Sequence, residues 1–397
     1  MARRFFQVLR LVCSLFAAFI IVFDSASTFE LKADETNFTE SWTRFVEDGS
    51  MPGAVLIVAT PKEIVSTECV GWADVESKTP MKDDSMFWIA SNTKAVVAVA
   101  VMICVEEGLL DLDEPVENYL PELKNLTVER KQEDGTIVLF PEKSKVTLRQ
   151  ALSHTAGFRF LTRFQERYGI DALPVQRLMT VVGMTPLIDD PGARYSYSNL
   201  GIDVGQAAVE AVSGMPFEEF LQKRVFNPLE MEDTTFYPNK EQLDRMATPY
   251  CWDGDSQLLK AMRFQQMPSM DDGSPRFAEG GGGLFSSARD YIKFYQMLGG
   301  KGVGANGKRI LSEKSVETMS TKQTGDSVET LYGFGLVVND SWFGHGGAYG
   351  TQGVAYRDGS VVAVYMVAVG GLPKQGEAER VFRSCVDAAA KKSKENN

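Results

Sequence analysis

Eleven consecutive residues, Ala95 to Val105, carry no polar side chain, and Gly108 ends the run. The stretch is longer than an ordinary strand, so it reads as a helix that is apolar on every side. Such a helix must be covered all round by other elements. It falls short of the ~20 residues that span a bilayer. The chain therefore needs a domain large enough to wrap one helix completely. Its 397 residues, 44% apolar and 24% charged, suit a globular protein of that kind.

The flanking segments suggest what does the wrapping. Asn37 to Asp48 reads as a short helix ending at Gly49, followed by strands over Gly53–Thr60 and Glu63–Trp72. Residues 110–275 read as mostly helical or irregular, with helical spacing in Leu148–Leu152, Ile202–Val212 and Pro216–Val225. A charged hairpin-like insertion, Lys124–Val146, contains Asp134-Gly135. Gly280–Gly283 marks a turn, and Ala288–Leu298 a helix. Strand patterns return in Gly333–Val338, Gly353–Arg357 and Ser360–Val369, and Glu377–Lys391 closes as a helix. This order predicts an α/β (α+β) fold with one sheet formed from both ends of the chain. The α/β part covers about 28–90 and 280–397, and a helical region, about 91–279, is inserted between.

At the N-terminus, Arg3, Arg4 and Arg10 precede an apolar run from Leu11 to Phe23, and Ser25, Ala26 and Ser27 follow. That is the order of a secretory signal, so residues 1–27 are expected to be an export signal, with an uncleaved membrane anchor as the less favoured alternative, and 28–397 a single domain without a membrane span. Without that segment the chain carries a net charge of about −14, against −12 for the whole. A surface that acidic repels phosphate backbones, which argues against nucleic acid as a partner. The two histidines, His154 and His345, are too few for a His-rich metal site, and no cofactor motif is present. Gly302–Gly307 fits G-x-G-x-x-G but follows a helix, the reverse of a dinucleotide fold. No G-x-S-x-G elbow and no P-loop exist. Cys69, Cys104, Cys251 and Cys385 show no metal or redox spacing. Export permits a bridge among them, and Cys104 reads as a packed apolar residue.

Ser91-Asn92-Thr93-Lys94 opens the apolar helix. Residues i and i+3 share a helix face, so the hydroxyl and the ammonium can meet. The helix start favours a developing oxyanion, and apolar neighbours lower the lysine pKa. A lysine so tuned can take the serine proton in place of a histidine. The competing reading is a capping serine beside a stray lysine. However, S-x-x-K occurs once in the chain, and a buried lysine is costly unless it has a purpose. Tyr197-Ser198-Asn199 offers a phenol for proton relay and an amide to hold a carbonyl or the lysine. Tyr237-Pro238-Asn239 repeats the spacing in a loop-like setting and reads as a decoy. Phe343-Gly344-His345-Gly346-Gly347-Ala348 is a glycine-rich approach to the last strands, and the alternative for His345 is a surface loop. His154, in Leu152-Ser153-His154-Thr155-Ala156-Gly157, reads as a structural residue at a helix end.

Together these motifs resemble the serine β-lactamase and penicillin-binding protein superfamily in its class C-like branch, over about Phe45 to Ala388. That branch includes class C β-lactamases, D-stereospecific peptidases and family VIII carboxylesterases. The resemblance rests on Ser91-x-x-Lys94, Tyr197-x-Asn199 and His345-Gly346-Gly347 in order. Leu110–Asp113 and Gly282–Asp290 add further family-like phrases. It implies a β-lactamase/transpeptidase-like fold with an antiparallel sheet. It also implies Ser91 as the acylated nucleophile, Lys94 and Tyr197 as the base pair, and Asn199 as orienting lysine and substrate. The N–H groups of Ser91 and Ala348 would form the oxyanion hole. His345, Gly346 and Gly347 stand where a K-T-G triplet helps hold a substrate carboxylate. A histidine, mostly neutral near pH 7.5 and charging toward pH 6, replaces the lysine, which puts efficient β-lactam hydrolysis in doubt. The expectation is a secreted acyl-enzyme hydrolase acting on a small molecule or peptide, with a carboxylic ester or D-amino-acid peptide ahead of a β-lactam. Two other readings are a non-turning-over penicillin-binding sensor and a Ser–His–Asp hydrolase with His345 as base.

Overall fold

The computed structural model describes residues 37–371 and 375–395, except 254, 255, 257, 263, 265 and 268. The expected export signal lies outside the described residues. The first helix, α1 (Phe38–Glu47), starts at Asn37, whose side chain accepts from the Glu40 N–H at 3.1 Å. Strands β1 (Gly53–Ala59), β2 (Ile64–Asp74) and β3 (Thr79–Pro80) follow. The apolar run becomes α2 (Thr93–Glu106), buried from Thr93 to Cys104. It packs on α3 (Asn199–Ser213), which is itself buried from Asn199 to Val209.

After α4 (Ala288–Gly299) the chain returns as β4 (Val337–Val338), β5 (Trp342–Gly346), β6 (Gln352–Tyr356) and β7 (Val362–Met366), and ends in α5 (Gln375–Glu395). The sheet order is β4-β5-β6-β7-β1-β2-β3 and the pairs are antiparallel. The two ends of the chain meet at β1 and β7, where Val55 faces Met366 and Ile57 faces Val364. Every residue of β1 is buried because both faces of the sheet are covered. Val55, Ile57 and Ala59 belong to the core that contains α2, α3 and α4. The alternate residues Ala54, Leu56 and Val58 pack with Phe38 and Trp42 of α1 and Phe382 of α5.

Three local expectations change. The α-helix begins at Thr93 and not at Ser91, because Ala90–Asn92 forms a 3₁₀ turn. The glycine-rich Phe343–Gly346 lies in strand β5. Its glycines have low strand propensity, and the pairing of β5 with β6 overrides it. The inserted region also holds strands, Tyr250–Asp253 and Leu258–Ala261, besides the expected hairpin of Thr127–Lys131 with Ile137–Pro141. Cys69, Cys104, Cys251 and Cys385 are free thiols, and Cys104 packs in the core. Among the described residues no helix is long and apolar enough to cross a membrane.

Candidate active site

Ser91 sits in the tight turn between the short strand Met86–Trp88 and α2. Ala90, just before it, has φ +46°, a left-handed conformation that costs a residue bearing a Cβ. Surrounding bonds hold that strain in place. Thr93 Oγ1 donates to the Ala90 carbonyl (2.7 Å), and the Asn92 amide donates to Thr351 Oγ1 (3.0 Å). The Tyr291 hydroxyl donates to the Asn92 carbonyl (3.0 Å). Helices α2 and α4 and the loop between β5 and β6 therefore brace the turn that presents the serine.

Lys94 is 0% exposed. Its Nζ lies 3.1 Å from Ser91 Oγ and 2.8 Å from Asn199 Oδ1, and it donates to the Gly281 carbonyl. Two of these partners can only accept. When the lysine is a neutral amine, its two N–H bonds go to Asn199 and Gly281, and its lone pair is left facing the serine hydroxyl. Burial pulls the lysine pKa down to about 7, against the opposing pull of Glu279 and Asp203.

Tyr197 faces Ser91, and burial raises its pKa against the opposing pull of the Ser91 side chain. Its ring centroid is 4.8 Å from Lys94 Nζ. Asn199 opens α3, whose cap is Ser198. Three expected residues, Lys94, Tyr197 and Asn199, thus converge on Ser91. The other Y-x-N does not: Asn239 caps a short helix by accepting from the Gln242 N–H (2.9 Å), and Tyr237 is partly exposed. His154 is structural, as expected, and it braces Tyr197. Its carbonyl accepts from Ser196 N (2.7 Å), its Nδ1 accepts from Ser198 N (3.2 Å), and its ring lies 4.5 Å from the Tyr197 ring. Tyr197→Phe is expected to slow acylation by about 10²-fold or more, while Tyr237→Phe leaves it within about twofold. Equal losses in stopped-flow acylation would reverse that assignment.

His345 is 8% exposed, on β5 rather than in a surface loop. Its Nδ1 donates to the Gly346 carbonyl (2.7 Å), so its Nε2 accepts from the Tyr332 hydroxyl (2.9 Å). Both ring nitrogens are engaged, and neither touches Ser91. Burial, reinforced by Lys94, drives the ring pKa down to about 3. This corrects the expectation that it charges toward pH 6: desolvation keeps it neutral across the working range. Gly346 ends β5. Gly347 has a steric role, because a Cβ there would stand 2.3 Å from the Ile89 carbonyl oxygen. The bare backbone lets the strand end approach the serine turn and brings Ala348 beside it.

The sequence reading missed Glu279, Asp203, Gly281, Tyr332 and Trp88. Glu279 and Asp203 are 2% and 0% exposed, and Asn199 Nδ2 donates to Glu279 Oε1 (3.2 Å). The one available signal was a lone acid in each of two apolar or glycine-rich stretches, Leu200–Ala208 and Ala278–Leu284. Trp88, Ala90, Phe264 and Phe285 form an apolar cluster against which Ala348 and Tyr349 pack. It walls one side of the serine turn.

A family model described as Beta-lactamase matches residues 38–386. Esterase EstB of Burkholderia gladioli is 30% identical over 314 residues, 72% of this chain and 74% of EstB. Monacolin J acid methylbutanoyltransferase of Aspergillus terreus is 28% identical over 284 residues, 65% of each chain. Among solved structures, unliganded simvastatin synthase (LovD) from Aspergillus terreus superposes with a TM-score of 0.77. It covers 90% of this chain and 99% of its own at 21% identity, which shows a shared fold. The matched span runs from α1 into α5 and encloses every residue around Ser91: the chain belongs to the beta-lactamase family, whose characterised members are hydrolases or acyltransferases.

Proposed function

We propose that the protein is an exported serine hydrolase that cleaves small neutral carboxylic esters through an acyl-enzyme. The observation that carries this is Lys94 Nζ, fully buried and 3.1 Å from Ser91 Oγ. In the forward step neutral Lys94, with Tyr197, takes the Ser91 proton as Oγ attacks the ester carbonyl. The N–H groups of Ser91 and Ala348 receive the oxyanion, and no backbone carbonyl among the described turns and loops accepts from either. The proton then passes to the leaving alkoxide, and water repeats the sequence in reverse to free the acid.

Two features favour neutral esters over β-lactams or peptides with a free carboxylate. His345 is neutral and internally bonded, so it offers a carboxylate no charge. A charge-assisted hydrogen bond is worth about 1.5–3 kcal/mol, or roughly 10–100-fold in kcat/KM. The cluster of Trp88, Phe264 and Tyr349 supplies an apolar wall for an acyl or alcohol group. The N-terminal arginines and apolar run support export, and mass spectrometry of the mature protein should find cleavage near residue 27.

Assays with p-nitrophenyl butyrate, nitrocefin and a D-Ala-D-Ala peptide test the reading. The expected result is sustained turnover of the ester. A stoichiometric burst without turnover would instead support a penicillin-binding sensor, and no reaction with any of the three would overturn an acyl-enzyme. The active form needs neutral Lys94, so kcat/KM should rise with pH through about 7 and fall about tenfold per unit well below it. His345 contributes no step between pH 5 and 9. A flat profile across that range contradicts Lys94 as the base.

A further inference from the structure

Two acidic side chains lie behind Lys94, and the catalytic cycle outlined above does not use either. Asp203, on α3, accepts from the Gly281 N–H through Oδ1 (3.2 Å). Glu279, at the head of the glycine loop, accepts from Asn199 Nδ2 through Oε1 (3.2 Å). Gly281 itself accepts from Lys94 through its carbonyl, and Asn199 accepts from Lys94 through Oδ1. Each acid is therefore one hydrogen-bonded group away from the ammonium, on a different bridge. The packing is tight: a Cβ on Gly281 would stand 2.5 Å from Glu279 Oε1 and 2.4 Å from the Asn199 Cγ. Asp203 Oδ2 and Glu279 Oε2 are buried without a hydrogen-bond partner among the described residues.

A buried carboxylate is costly when ionised unless cations or hydrogen bonds offset its desolvation. Two carboxyl groups converging on one glycine cannot both ionise cheaply beside a single cation. We propose that Asp203 and Glu279 are positioning residues that set how readily Lys94 gives up its proton, and hence the pH at which Ser91 becomes nucleophilic. An ionised member of the pair holds the proton on Lys94, and protonation of the pair frees the amine. Glu279 has a second task, since its bond to the Asn199 amide fixes the flip that points Oδ1 at the lysine.

Other groups around the cluster do not substitute for the pair. Lys94 also faces Tyr197, His154 and His345. The Tyr197 pKa lies above the ordinary phenol value and both histidine pKa values lie below the ordinary one, so all three stay neutral near pH 7. Asp171 faces Glu279 but is paired with Arg276 at 3.1 Å. The directions agree with the geometry: burial raises both carboxyl pKa values, and each carboxylate works against the burial of Lys94.

This inference rests on Lys94 acting as the base, and the experiment separates the two. The pH profile of p-nitrophenyl butyrate hydrolysis would be measured for the wild type, Asp203→Asn, Glu279→Gln and the double variant. Removing negative charge should move the acid limb of kcat/KM to lower pH by about one unit or more, most in the double variant. A misfolded or mispositioned site would lower the whole curve without moving the limb. An active enzyme whose limb stays put in all three variants overturns the role of the pair and leaves the hydrolase reading intact. A second measurement covers variants that fail to fold, or a protein that hydrolyses no ester. In the wild type, ¹³C labels at lysine Cε and at the carboxyl carbons should show Lys94 titrating in two steps, mirrored by a carboxyl signal. A single Lys94 step with no matching carboxyl overturns the proposal.

Discussion

Ser91→Ala is expected to abolish ester turnover, with a loss of at least about 10⁴-fold, and to remove all covalent labelling by a fluorophosphonate probe. The size follows from the way the site is built. Lys94, Tyr197 and the nucleophile turn converge on one hydroxyl, so its loss leaves the other groups with nothing to activate. Substitution of the side chain leaves the turn intact, because its bracing bonds come from Thr93, Asn92 and Tyr291. The variant should therefore melt within a few degrees of the wild type. Intact-mass and peptide mapping after labelling provide the check, and a probe adduct on any serine other than Ser91 would sink the assignment.

Lys94→Met should lower acylation by about 10⁴-fold, near the upper end for loss of a positioned proton-transfer group. Methionine fills much the same volume but cannot accept a proton. His345→Gln should cost far less, within about tenfold, since the ring donates to Gly346, accepts from Tyr332 and makes no bond to Ser91. The pair of substitutions decides between a lysine base and a Ser–His–Asp arrangement: retained activity in Lys94→Met with loss in His345→Gln would mean the latter. Removing the cation leaves Asp203 and Glu279 buried without it, which is destabilising by about 3–5 kcal/mol if they stay ionised. Rates must therefore be compared per folded molecule, with circular dichroism as the control.

Much of the site could be read along the chain because its chemistry is local. Ser91 and Lys94 are three residues apart, at the head of a stretch whose apolar character already demanded burial. Tyr197 and Asn199 are two apart, at a helix start that Ser198 caps. The terminal strands showed themselves as β-branched runs, and their union in one sheet followed from helices lying between them. By contrast, β5 was hidden by its glycines, which have no strand propensity and pair only because β6 and β4 offer partners.

The residue types, their spacing and the apolar periodicity determined by themselves that a serine and a lysine would meet in a covered place. Which charge His345 carries, and what lies behind Lys94, was decided by tertiary structure. An imidazole at the end of a glycine-rich run titrates ordinarily in water, but enclosure against Tyr332 and Tyr197 removes the water that would solvate its charged form. Asp203 lies over a hundred residues from Lys94 in the chain, and Glu279 is farther still. Their hold on the lysine is a Coulomb interaction across a low-dielectric gap. That interaction depends on distance in space, which no spacing along the chain encodes.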